Sequence, residues 1–78
     1  MKPDPFEGCS VKGARIELAN GEVLSVQSEP ERIREEKPKA NADPRFRVLV
    51  RRGRQIQIVE VPAFVVLAWE MAGGKVEG

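Results

Sequence analysis

The 78-residue chain contains no histidine and no tyrosine, one cysteine and one tryptophan. Without histidine there is no imidazole base, no Ser-His-Asp triad and no Cys-His pair. One cysteine with no histidine cannot build a zinc site, and it excludes an internal disulfide, which suits a reducing compartment. The longest apolar run, Pro62–Trp69, is far too short to span a bilayer. The opening "MKPDPFEGCS" has no apolar core of a secretory signal. A cytoplasmic protein is expected. "GGK" at Gly73–Lys75 lacks the spaced glycine and the Ser/Thr of a phosphate-binding loop. No cofactor, metal or catalytic residue is therefore assigned, and no enzymatic activity is expected. Glu35-Glu36 reads as a solvated charge pair, and Cys9 has no basic neighbour in sequence to activate it.

Hydrophobic residues make up 41% of the chain, which suits one small globular domain. The net charge is +1, but it is uneven. Met1–Pro44 holds seven basic and nine acidic residues; Arg45–Gly78 holds six basic and three acidic.

The pattern predicts an α+β fold: a small four-stranded antiparallel sheet made of two β-hairpins, with one helix on its apolar face. Residues 1–10 form a loose tail pinned by Phe6. The first hairpin lies in 11–27, with strands near 14–19 and 22–27. Ile16 and Leu18 alternate with charge, and Asn20-Gly21 marks the turn. A three-residue loop, Ala19-Asn20-Gly21, pairs Ile16 with Leu24 and gathers Ile16, Leu18, Leu24 and Val26 on one face. Gly21 then takes a left-handed conformation.

The second hairpin lies in 45–61, with strands near 45–50 and 54–61. By the same rule, a loop of Arg51-Arg52-Gly53 pairs Val48 with Ile56 and Phe46 with Ile58. "RIELANGEVLSV" aligns without a gap on "RVLVRRGRQIQI", either an old duplication or two hairpins meeting one physical demand. The segment between them, 28–44, carries three prolines and nine charges, with Ile33 as its one large apolar residue. It reads as a long mobile loop.

Residues 62–73 predict a helix, with Pro62 in its first turn and Gly73 after its last. Phe64, Leu67, Ala68 and Met71 form a stripe assigned to the core, opposite Val65, Trp69 and Ala72. Residues 74–78 are a tail. An SH3-like small barrel is the alternative closure of the sheet, since strand-Asn-Gly-strand patterns occur in such barrels, although their further signature residues are missing here.

Two surface features remain. Arg45, Arg47, Arg51, Arg52 and Arg54 are expected to form one positive surface beside Gln55 and Gln57. Exposed strands also carry charge for solubility alone, but the exclusive use of arginine favours bidentate contacts. Val65 and Trp69 are expected on an outer helix face, where tryptophan would anchor a partner or a second copy in a homodimer.

These features suggest a non-catalytic interaction protein, a small regulator or inhibitor docking on a larger protein complex with an acidic surface. By analogy of size and composition only, phage and mobile-element blockers of host defence, anti-CRISPR proteins among them, are of this kind. The alternative is a nucleic-acid binder using the hairpin Arg45–Arg54. Near-neutral charge and few aromatics weigh against it.

Overall fold

The computed structural model describes residues 4–34 and 44–77. Six strands and one helix follow in order: β1 Ser10–Lys12, β2 Arg15–Glu17, β3 Val23–Val26, β4 Glu31–Arg32, β5 Arg45–Arg52, β6 Gln55–Pro62 and α1 Ala63–Met71. All ladders are antiparallel. The order β1-β2-β3-β5 ends with β6 on the far edge of β5, and β4 shares with β3 the near edge. The sheet curls into a half-barrel with α1 packed on it. Among the described residues no ladder joins β1 to β6.

The α+β class and the C-terminal helix agree with expectation; the strand count does not. β1 extends the first hairpin through a tight Gly13-Ala14 turn, with Gly13 at φ +59. β4 falls within the segment expected to be a loop and pairs Glu31 with Arg47 and Arg32 with Phe46. Gln27 N–H donates to the Leu49 carbonyl and Ile33 N–H to that of Arg45. β3 and β4 thus act as one interrupted strand along β5, broken at 28–30, where Pro30 has no N–H to give. The rest of the expected mobile loop, 35–43, lies outside the described residues.

The first hairpin has the expected register, Ile16 opposite Leu24. Gly21 N–H donates to the Leu18 carbonyl, Leu18 N–H to that of Glu22, and Gly21 sits at φ +93. This is the three-residue loop with its glycine bulge.

The second hairpin does not repeat it. Arg52 pairs with Gln55 across a two-residue loop, Gly53-Arg54, so Val48 faces Val59 and Phe46 faces Val61. The expected pairing with Ile56 and Ile58 is wrong, and those two side chains lie on the opposite face. The reason is at the far end of β6. Val61 is fully buried, at the end of β6 where α1 begins. Side chains alternate along a strand, so burying Val61 turns Val59 inward and Ile56 and Ile58 outward. The short loop also pairs all eight residues of β6. A three-residue loop would strand Glu60–Pro62 without partners. The likeness of the two hairpins is therefore one of composition and not of geometry.

The core consists of Phe6, Ile16, Leu18, Leu24, Val26, Val48, Val50, Val61, Val65, Val66 and Trp69. Phe6 enters it from a turn in which its N–H bonds the Asp4 carboxylate. The helix ends as expected at Gly73. Gly73 N–H bonds the Glu70 carbonyl and Gly74 N–H that of Trp69, a paired glycine cap. Its rotation is the reverse of expectation. Val65, Val66 and Trp69 face the sheet, and Phe64, Leu67 and Met71 face solvent. With apolar residues nearly all round, periodicity could not choose the face; Val61 and Pro62, both buried where the chain enters α1, did.

The expected C-terminal tail is instead a strap. Trp69 Nε1 donates to the Lys75 carbonyl at 2.7 Å, and Glu77 N–H donates to the Val26 carbonyl at 2.7 Å. The Glu77 carboxylate then takes hydrogen bonds from Arg51 and Gln27.

Candidate functional site

Side-chain alternation divides the long β5–β6 ribbon into two faces. The concave face carries Phe46, Val48 and Val50 with Gln57, Val59 and Val61. The convex face carries Arg45, Arg47, Leu49 and Arg51 with Ile56, Ile58 and Glu60. Arg45 and Arg47 thus share the expected face away from the core, and Arg51, expected in the loop, joins them on the strand. Gln57 does not join them: it stands opposite Val50 on the concave side, a consequence of the two-residue loop. Gln55 and Arg54 are exposed at the hairpin tip.

The arginines are interleaved with acids. Arg45 bonds Glu60 at 3.0 Å and approaches Asp4 at 3.6 Å. Arg52 reaches Glu22 at 3.3 Å, linking the tips of the two hairpins. Arg51 holds Glu77. Arg47 lies in register between Glu31 and Glu60. Such exposed pairs are screened by solvent and contribute little to stability. Together they offset the charge of Arg45, Arg51 and Arg52. Arg54 has no carboxylate within ion-pair distance among the described residues.

The hydrogen bond from Arg51 holds the Glu77 carboxyl below its ordinary range, and the Ser25 hydroxyl adds to the shift against a small desolvation effect. Burial pushes the Cys9 thiol above its ordinary value, Asp4 adds to this, and a backbone hydrogen bond opposes it. The reactive thiolate is thereby disfavoured. Among the described residues no three His, Cys, Asp or Glu side chains cluster as a metal site. An open depression beside Asp4, Pro5, Glu7, Ala19 and Asn20 gathers two carboxylates, of which Asp4 already meets Arg45.

Val65 and Trp69 retain 1% and 5% of their surface and belong to the core. That burial turns them to the inner side of α1 and corrects the expected placement on its outer face. The residues left over for contact are different ones. Phe64, Leu67 and Met71 stand at i, i+3 and i+7 on the solvent side of α1, 49%, 58% and 89% exposed. Ile56 and Ile58, at 59% and 64%, stand on the convex face. The signal that could have found them was the parity of Val61 combined with the direct run from β6 into α1.

No protein-family profile matches this chain, and neither the curated proteins nor the solved structures gave a match.

Proposed function

We propose that the protein is a non-catalytic interaction module, a small regulator or inhibitor that docks on a larger protein. The observation that carries this reading is the exposed stripe Phe64-Leu67-Met71 on α1. A helix normally turns its polar side to water. Here the solvent side holds three large apolar side chains and Glu70. Residues spaced in this way on one helix are the anchors used when a helix lies in a hydrophobic groove. The occupant of this face is therefore an apolar groove on a partner protein. A core of eleven residues exists without the stripe, so the stripe is surplus to folding.

Nucleic-acid phosphate has less support, because Arg45, Arg51 and Arg52 already hold carboxylates. The double variant Leu67→Glu/Met71→Glu tests the reading. It is expected to keep the wild-type fold by circular dichroism and to lose its protein partner. A partner that binds the variant as tightly as the wild type would refute the helix face as the docking site.

A further inference from the structure

The two edges of the sheet are unlike. β1 is three residues long and ends in Lys12, two devices that discourage edge pairing. β6 is eight residues long, has no lysine or glycine and no proline before Pro62, and carries one charge, Glu60. The backbone groups on its outer side can be assigned. Gln27 and Ile33 bond the carbonyls of Leu49 and Arg45, so the odd-numbered residues of β5 point their backbone groups toward β3 and β4. The even-numbered ones point toward β6 and bond Gln55, Gln57, Val59 and Val61. Ile56, Ile58 and Glu60 therefore direct N–H and C=O groups away from the sheet. Among the described residues β6 pairs with β5 alone.

We infer that this edge pairs with the same edge of a second copy, antiparallel about a two-fold axis at Gln57. The strand chooses both the partner and the register. With Gln57 opposite Gln57 of the other copy, Ile56 faces Ile58 and Ile58 faces Ile56 across the seam. Both are outward-bonding positions, so each such pair exchanges two N–H···O=C bonds, about four in all. The four isoleucines gather on the convex face and bury one another. The same register sets Arg54 opposite Glu60, twice. Of the five arginines of the second hairpin, Arg54 is the one that neither holds a carboxylate nor stands in register beside one among the described residues. Shifting the axis by one residue, to Ile58, sets Ile56 against Glu60 and loses both the apolar cluster and the ion pair. One strand thus meets itself with apolar groups, backbone groups and charges all complementary, the condition for an isologous interface. The result is a continuous sheet through two protomers. The seam does not involve α1, so it stands apart from the docking face proposed above.

The test is sedimentation equilibrium of the full chain, with circular dichroism as a check of folding. The wild type is expected to be a dimer. Ile58→Pro removes an outward N–H that takes no part in the β5 ladder, and it is expected to give a folded monomer. Arg54→Glu sets acid against acid and is expected to weaken dimerisation at least about tenfold. Glu60→Arg is expected to do the same, and mixing it with Arg54→Glu is expected to restore dimers as a one-to-one heterodimer. Leu67→Glu, on the helix face, is expected to leave the dimer intact. A wild type that stays monomeric up to its solubility limit overturns the inference. So does a dimer that survives Ile58→Pro, or a mixture of the two charge variants that remains monomeric.

Discussion

The indole nitrogen of Trp69 donates to the carbonyl of Lys75 at 2.7 Å, and this bond turns the last residues of the chain into part of the fold. The ring lies against Gly74, where an added methyl group would meet it at 3.5 Å. From there the strap runs to the Val26 carbonyl and places Glu77 beside Arg51. A tryptophan on a small sheet thus has two tasks, filling the core and supplying the donor that anchors the strap. Trp69→Phe keeps most of the packing and leaves the carbonyl unbonded. It is expected to cost about 1 kcal/mol in urea unfolding, whereas Trp69→Ala is expected to cost about 3–5 kcal/mol. Amide exchange at Glu77 is expected to quicken in both. A Trp69→Phe variant as stable as the wild type would mean that the bond contributes nothing.

The strap should also respond to acid. The Glu77 carboxyl titrates below its ordinary range in the folded protein because Arg51 bonds its charged form. Its contribution to stability is complete above the unfolded value and is lost as pH falls through the depressed folded value. Glu77→Gln removes that dependence. Unfolding curves of wild type and Glu77→Gln are expected to differ near neutrality and to converge in acid. A difference that is constant with pH would place the source of the effect elsewhere.

The register of the second hairpin makes a sharp contrast between two similar side chains. Leu24 is wholly buried and Ile56 is 59% exposed. Leu24→Ala is expected to destabilise the monomer by about 2–5 kcal/mol. Ile56→Ala, measured at a concentration where the chain is monomeric, is expected to cost no more than about 0.5 kcal/mol. A loss at Ile56 as large as that at Leu24 would restore the three-residue loop, with Ile56 turned inward.

What could be read from the sequence follows from how many answers each segment allowed. At Ala14–Val26 the apolar residues converge on one face in one loop length only, and Asn20-Gly21 supplies the turn, so Ile16 opposite Leu24 was legible. The Gly73 cap was legible for the same reason. "QIQIVEVP" was not, because it offers an apolar set on either parity: Ile56 and Ile58, or Val59 and Val61. Helix α1 posed the same problem, since Val65 with Trp69 and Phe64 with Met71 are both plausible inner stripes. In each case the choice was made where β6 runs directly into α1, by the burial of Val61, which the periodicity of neither segment shows alone. The candidate site inherited the ambiguity. Val65 and Trp69 were assigned outward, and the residues that do face outward were assigned to the core. Arg45 and Arg47 were legible on β5, but Arg51 and Arg52 belong to that strand and not to the loop, and three of the acids, Asp4, Glu22 and Glu77, come from outside the hairpin, where pairing within it could not reveal them.

Arg52 and Glu22 join the tips of the two hairpins at 3.3 Å on an exposed surface. Arg52→Ala is expected to lower stability by less than about 1 kcal/mol, and by still less at high salt. Thermal unfolding at two ionic strengths checks this. A loss of several kcal/mol would mean that the tips are coupled by more than a screened pair.

The central claim is that the solvent side of α1 is a docking face, and a comparative affinity capture from source cells tests it most directly. Three baits are immobilised: wild type, Leu67→Glu/Met71→Glu and Arg47→Glu/Arg54→Glu, each first shown to be folded. One protein, distinct in mass from the bait, is expected to be retained by the wild type and by the arginine variant and to be absent from the helix variant. Retention should survive a high-salt wash, because the contact is apolar. Equal retention by the helix variant, or recovery of nucleic acid that is lost in salt and from the arginine variant, would contradict it.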